Sequence, residues 1–535
     1  MAYDVLIVGG GHNGLVCAAY LARAGLKVRV LERRDVVGGA ATSAEFHPGF
    51  RNSVAAYTVS LLHPKVIADL RLARHGLKIV ERPLANFLPL SEAGEAPRSF
   101  RVGPDLAATQ GDLARFSARD AARLPGYTRM IERAADTLRA LALETPPLAR
   151  GGWSDLVEAF NLGCVANRID LPTRRELLDL FTKSAGDLLD GWFETDAVKA
   201  AFGFDSIVGN YASPYTPNTA YVLLHHVFGE VNGKRGAWGH AIGGMGAITQ
   251  AMAKEALARG VEISTGAHVA EVRVRGARAA GVALADGTYI DARAVAANVN
   301  PKMLYLELVA AEHLEPEFRE RMARWKCASG TLRMNVALAE LPEFACAPGA
   351  QAQPHHGAGI IMAPSLRYME QAYFDARTLG WARAPIVEML IPSTVDTTLA
   401  PRGAHVASLF CQHFAPVLPE GRSWDEAREE AADVVIDTVE RYAPNFKAAV
   451  LARSTLTPLD LEREFGLTGG DIFHGALSLD QLWAARPMLG YGDYRAPIKG
   501  LYLCGSGAHP GGGVTGLPGH NAAREMLRDF RRGRV

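Results

Sequence analysis

The chain opens on Asp4-Val5-Leu6-Ile7-Val8, an uninterrupted apolar and β-branched run that predicts a parallel strand covered on both faces. It breaks into Gly9-Gly10-Gly11-His12-Asn13-Gly14, after which small and apolar residues from Leu15 to Ala24 predict a helix stopped by Gly25. Lys27 to Leu31 reads as the next strand. The same pattern returns far downstream. A helix is expected from Ala247 to Ala258, a strand around Val261 to Ile263, and an alternating strand from Val269 to Val274. Ala285-Asp286-Gly287-Thr288 carries a hairpin signal, and Val295-Ala296-Ala297-Asn298 closes this lobe. Near the C-terminus Gly500-Leu501-Tyr502-Leu503-Cys504-Gly505 predicts a short buried strand, and Pro518 a helix start.

Two long insertions separate these pieces. The first reads as mainly helical, with Leu177, Phe181, Ala185, Leu188 and Trp192 spaced to fall on one helix face. That face is either core or the lining for a long apolar substrate, or a surface resting on membrane. The second insertion mixes strands, such as Leu332 to Leu338 and Val406 to Phe410, with helices, and turns at Pro401-Arg402-Gly403. The expected fold class is α/β. A Rossmann-like domain is assembled from residues 1–75, 235–300 and 490–535, and a mixed α+β substrate domain is inserted as residues 76–234 and 301–489.

Composition narrows the partners. At 535 residues, with 48% apolar and 21% charged residues, the chain is globular and large enough to enclose both a cofactor and a substrate. Lysine plus arginine equals acid, 57 against 57, so nothing draws it as a whole to nucleic acid, and no nucleic-acid partner is expected. Arg524, Arg528, Arg531, Arg532 and Arg534 outnumber Glu525 and Asp529, which leaves open a solvated helix end or a peripheral contact with an anionic membrane. The cysteines Cys17, Cys164, Cys327, Cys346, Cys411 and Cys504 form no C-x-x-C pair, which excludes a sequence-adjacent dithiol and a thiolate zinc site. The thiols, the absence of a spanning apolar run and the strand starting at Tyr3 together lead us to expect a cytoplasmic protein.

The chemistry lies in the glycines. Gly9, Gly11 and Gly14 satisfy G-x-G-x-x-G between a strand and a helix: a tight turn, a close backbone approach to a pyrophosphate, and close helix packing. Glu32 ends the second strand, 23 positions after Gly9, where its carboxylate can accept from a ribose diol. Arg33 and Arg34 could recognise a 2′-phosphate, which Glu32 would repel. A second glycine pair in Arg34-x-x-x-Gly38-Gly39-Ala40-Ala41-Thr42 lets backbone pass another phosphate. The loop Ser506-Gly507-Ala508-His509-Pro510-Gly511-Gly512-Gly513-Val514-Thr515-Gly516 precedes a helix whose N–H groups would face the pyrimidine end of a reduced flavin. Gly243-Gly244-Met245-Gly246 has the wrong spacing for a second fingerprint and reads as a flavin-side turn. His509 is the one catalytic candidate, or else a loop histidine bonded to backbone. The adjacent pairs His225-His226 and His355-His356 point apart and have no carboxylate at ligand spacing, so no metal is expected.

These motifs, together with Tyr221-Val222-Leu223-Leu224-His225-His226, Gly236-Ala237-Trp238-Gly239, Leu399-Ala400-Pro401, Ile472-Phe473-His474 and Ser478-Leu479-Asp480-Gln481-Leu482, resemble the phytoene desaturase-related flavoproteins over nearly the whole chain. The resemblance implies an amine oxidase/phytoene desaturase-like architecture and non-covalent FAD. Its matching contact positions are Gly9, Gly11, Gly14, Glu32, Gly38, Gly39, Val269, Gly505, Ser506, Val514 and Thr515; Arg33, Thr42 and Gly516 complete the candidate set. Ala40 stands where many relatives carry arginine. The expected activity is an FAD-dependent dehydrogenase or desaturase taking hydride from a C–H bond of a small apolar, polyene or lipid-like substrate. A flavin-dependent isomerase or saturase, and a flavin-stabilised protein acting through a protein partner or as a homo-oligomer, are the alternatives.

Overall fold

The computed structural model describes residues 3–90, 96–148 and 169–535, so that Cys164 lies outside the described residues. The first strand, Tyr3–Val8, is central to a sheet in which Glu262–Ser264, Val28–Leu31, Tyr3–Val8, Tyr289–Ala297 and Leu501–Leu503 run parallel in that spatial order. Its residues Val5, Leu6 and Ile7 are inaccessible to solvent, as the continuous apolar run requires of a strand covered on both faces. The helices His12–Arg23, Gly246–Ala258 and Leu517–Arg531 cover it as one layer, the first packed against both of the others. The hairpin read at Ala285–Thr288 joins Arg278–Leu284 to Tyr289–Ala297, with Val269–Arg275 on its outer side.

The second layer is a seven-stranded sheet ordered Val450–Leu456, Thr331–Leu338, His405–Phe414, Trp381–Leu390, Gly359–Met362, Asn86–Leu90 and Arg98–Val102. Its last two strands come from the first insertion, so the two insertions share one sheet. The boundaries at 75/76 and 234/235 are likewise bridged, because Gly239–Ala241 pairs antiparallel with Ile79–Glu81. The hairpin Ser43–His47 and Phe50–Ser53, from the first segment, is pinned to this sheet by reciprocal amide bonds: Asn52 Nδ2 donates to Asn335 Oδ1 at 2.9 Å, and Asn335 Nδ2 to the Ser53 carbonyl at 2.9 Å.

The apolar series from Leu177 to Trp192 is not one helix face. The helix Leu171–Thr182 ends at Lys183, whose ψ of 161° is extended, and Ser184 caps a new helix, Ala185–Trp192, by accepting from the Asp187 N–H at 2.9 Å. Phe181 then stacks on Tyr221, while Ala185 and Leu188 enter the core around Leu124 and Phe204. The C-terminal arginines are largely engaged within the fold: Arg524 donates to the Leu143 carbonyl, Arg528 to Glu525 and Arg534 to Asp529. Among the described residues no helix is long and apolar enough to cross a membrane.

Asp120 shows how the helical layer is fastened. Wholly buried in the first turn of the helix Ala118–Ala142, it accepts the backbone N–H groups of Glu194 and Thr195 at 2.8–3.1 Å, in the link between two other helices. Asp120→Ala leaves both donors unpaired in the core and is expected to cost about 2–4 kcal/mol. Thermal unfolding followed by circular dichroism checks this, with Arg119→Ala, at the exposed Arg119–Glu194 pair, leaving the transition in place.

Candidate active site

Where the first strand ends, the backbone turns back on itself. Gly9 has φ +94°, and its N–H donates to the Leu31 carbonyl at 2.8 Å. A Cβ on Gly11 would come within 2.9 Å of Asn298 Nδ2, and one on Gly14 within 2.3 Å of the Gly9 carbonyl oxygen, so neither position has room for a side chain. Glu32 braces this loop: Oε2 accepts the Gly10 N–H at 2.7 Å and Oε1 the Arg34 N–H at 2.9 Å. Asn298, directly after the strand Tyr289–Ala297, donates Nδ2 to the Gly9 carbonyl at 3.2 Å and backs both Gly11 and Gly505.

These groups line a long cavity of about 1250 Å³, its mouth included, that runs from Glu32, Arg33 and Val269 past Gly9, Gly11 and Gly39 to His12, His474 and Ser506. Arg33 closes the outer end by donating to the Arg463 carbonyl at 2.8 Å, and Arg34 lies 4.6 Å over the Phe465 ring. His12, Ala40, His474 and Ser506 also line a second cavity, of about 940 Å³ on the same measure, whose walls include Tyr57, His226, Trp238, Phe410, Phe473 and Val514. The two spaces therefore share a neck. Ser506 in that neck accepts from Asn13 Nδ2 at 3.1 Å, which joins the C-terminal loop to the fingerprint helix.

Several expected positions do something else. His509 lines neither cavity. Its Nε2 lies 3.3 Å from the Leu141 carbonyl, its ring packs on Trp483, and burial pulls its pKa down to about 3, as for a loop histidine bonded to backbone. Thr515 Oγ1 accepts the Leu517 N–H and Gly516, at φ +75°, caps the same helix; both start Leu517–Arg531 without reaching either cavity. Thr42 braces the second glycine pair through its bond to the Gly39 carbonyl. In the turn at 243–246 only Met245 reaches the second cavity, because Gly243 donates to Asp396 and Gly246 to Ser43 Oγ.

Four groups have no place in the motif reading. His12 and His474 stand at the neck, and burial holds them near pKa 4 and 3, hence neutral. Asp471 and Arg486 build the loop carrying His474: the carboxylate accepts from the N–H groups of Ala328, Phe473 and Gly475, and the guanidinium donates to the carbonyls of Phe473, Gly475 and Ser506. A buried carboxylate and guanidinium are indistinguishable in sequence from surface ones, whereas His12, inside the fingerprint's variable positions, could have been singled out.

Among the described residues, no Asp, Glu, Lys or Arg side chain lines the second cavity. Charge stands one layer back. Tyr57, stacked 5.2 Å from Phe410, bonds through its hydroxyl to Glu388; Arg333 lies 4.5 Å over the Tyr57 ring, and Arg82 is 3.8 Å from Glu388. Burial raises the pKa of Glu388, and burial and then Glu388 push Asp205 up to about 8.

The model of the flavin containing amine oxidoreductase family matches residues 14–331. The chain belongs to that family. This flavin-containing oxidoreductase is 43% identical to pyridine nucleotide-disulfide oxidoreductase domain-containing protein 2 of Rattus norvegicus, over 99% of this chain and 94% of that protein. A phytoene desaturase (lycopene-forming) of Pseudescherichia vulneris is a more distant relative, 25% identical over 96% of each chain. The fold is shared with cyclohexylamine oxidase from Brevibacterium oxydans IH-35A, at TM-score 0.58 and 15% identity, over 99% of this chain and 100% of that one. As an FAD-dependent oxidoreductase of this family, the chain has its cofactor-sized cavity walled by the glycines, Glu32, Val269 and Ser506, and the crowding at Gly11 and Gly39 leaves backbone alone to face the ligand.

Two outcomes follow. Gly11→Val forces a branched side chain against Asn298 and into the cavity, so FAD retention after gel filtration should be abolished while far-UV circular dichroism keeps most of its signal. The raised pKa of Asp205 means that the folded form holds a proton the unfolded chain has released above about pH 4. Its contribution to stability is full below that pH and declines as pH rises through about 8. Denaturant unfolding as a function of pH should show this decline in the wild type and a flatter profile in Asp205→Asn.

Proposed function

We propose that this oxidoreductase dehydrogenates a neutral, apolar substrate, polyene or lipid-like, seated in the second cavity. The observation that carries this reading is the wall itself: aromatic and aliphatic side chains, Tyr57, Trp238, Phe410, Ile472 and Phe473 among them, with every formal charge set behind them. Bound FAD supplies the hydride acceptor for a C–H bond held against its ring. The chain's own residues position and dry the site. Trp238 stacks parallel to His226, with ring centroids 6.2 Å apart, and burial keeps that imidazole uncharged near pKa 4. An ammonium substrate would need a carboxylate or a solvated path in this wall, because an unpaired charge moved out of water costs several kcal/mol or more. Tyr57 directs its hydroxyl to Glu388 while its ring lines the cavity. The kinship with a phytoene desaturase supports a hydrocarbon substrate, while the lack of a C-x-x-C pair gives no support to dithiol chemistry.

Anaerobic titration with carotenoids, fatty acyl compounds and primary amines separates the readings. Loss of the oxidised flavin band with an apolar compound, and a product lighter by two hydrogens, is the expected result. Bleaching by amines alone would overturn the apolar assignment, and a product of unchanged mass would point to isomerisation.

A further inference from the structure

Two imidazoles meet at the neck between the cavities, His12 at the start of the fingerprint helix and His474 on the loop opposite. Each has a buried ring nitrogen without a partner, Nε2 of His12 and Nδ1 of His474. The other nitrogen of His12 is accounted for. Its ring bonds the backbone of Gly513 in the C-terminal glycine loop, and because Nε2 is unpartnered this bond falls to Nδ1. The carbonyl of Gly513 can only accept, so Nδ1 carries the proton. A neutral imidazole has one N–H, which makes Nε2 a bare lone pair. A buried lone pair in this place calls for a donor.

The chemistry of the cofactor narrows which donor that is. Phosphate oxygens only accept, and the backbone N–H groups that open the fingerprint helix are suited to them. The chain between the pyrophosphate and the flavin ring carries hydroxyls, which donate. We propose that His12 is a positioning residue whose Nε2 accepts a ribityl hydroxyl of FAD, with His474 Nδ1 as a second polar contact on the facing wall. The inference rests on FAD occupying the two joined cavities. It makes the neck selective, since a neutral acceptor welcomes a polyol segment and offers nothing to a phosphate. It also explains why a histidine stands among the fingerprint glycines. Through Nδ1 it holds the C-terminal loop at Gly513, and through Nε2 it takes hold of the ligand that both loops enclose.

Two substitutions separate the two nitrogens. In His12→Asn the amide reaches the Nδ1 position and can keep the Gly513 bond, but nothing remains at Nε2; in His12→Gln the amide oxygen reaches the Nε2 position and the Gly513 bond is lost. Dissociation constants for FAD and for ADP, which lacks the ribityl chain, would be measured on deflavinated full-length protein by fluorescence and competition. Wild-type uptake of FAD is the control for the underlying assignment. The expected result is FAD binding weakened about ten- to hundredfold in His12→Asn and much less in His12→Gln, with ADP affinity within about twofold of wild type in both. Retained ADP binding certifies a folded site. Equal losses for FAD and ADP would place His12 on the phosphates, and a larger loss in His12→Gln than in His12→Asn would reduce it to a brace for Gly513. Either result, or wild-type FAD binding in His12→Asn, overturns the proposal.

Discussion

The guanidinium of Arg486 is the interaction on which the two-cavity arrangement depends. It is wholly buried, and burial lowers its pKa to about 10, which still leaves it charged at neutral pH. Removing such an ion from water costs several kcal/mol and is recovered only if its donors are well used. They are: the carbonyls of Phe473, Gly475, Ala476, Gln481 and Ser506 all lie within 3.4 Å of it. Asp471, equally buried, takes the opposite ends of peptides in the same loop. The segment around His474 is thus strung between an anion that holds its N–H groups and a cation that holds its C=O groups. That fixes a backbone in which His474 itself has φ +57°, a left-handed conformation that histidine adopts at a cost.

From this anchor the parts of the site become mutually dependent. Ser506 gives its carbonyl to Arg486 and its hydroxyl to Asn13, so the substrate-domain loop, the C-terminal loop and the fingerprint helix meet at one residue. Asn298 adds the central strand by bonding the Gly9 carbonyl. Four segments distant in sequence therefore reach the neck without a flexible intermediary. The large apolar cavity beyond it, which would gain energy by collapsing, is kept open by Tyr57, whose ring is clamped between Phe410 and Arg333 and whose hydroxyl is held by Glu388.

What could be read from the sequence was what is decided locally. A strand buried on both faces, three glycines at fixed spacing and an acid at the end of the next strand specify one turn, because only that residue order allows the backbone approach seen at Gly11 and Gly14. The hairpin at Ala285–Thr288 and the helix at Pro518 are local in the same sense. The misreadings come from choices made at a distance. His509 sits in the right loop, but the carbonyl at the end of the helix Ala118–Ala142 turns it away. The helical period from Leu177 to Trp192 runs across a break that only Ser184 and Asp187, a cap and its partner three residues on, betray. Glu388, Asp471, Arg333 and Arg486 carry no local mark of burial, since a charged residue is ordinarily at the surface.

The separation of polar work from apolar work has a chemical consequence. The long cavity is lined by backbone together with polar and charged side chains, Glu32, Arg33, Arg34, His12 and His474 among them, whereas the second cavity is lined mainly by rings and aliphatic chains. A cofactor with a polar tail and a flat aromatic head meets a matching surface along its length, and the second space carries hydroxyls and uncharged imidazoles but, among the described residues, no charged side chain. Charges are present but shielded: Arg82, Arg333, Glu388 and Asp205 form a cluster that is joined to the cavity wall through the hydrogen bond of the Tyr57 hydroxyl. The neck is where the two environments change over. A residue there must be polar enough to end the cofactor's hydrophilic segment and uncharged enough not to hydrate the apolar one, and a buried neutral imidazole meets both requirements.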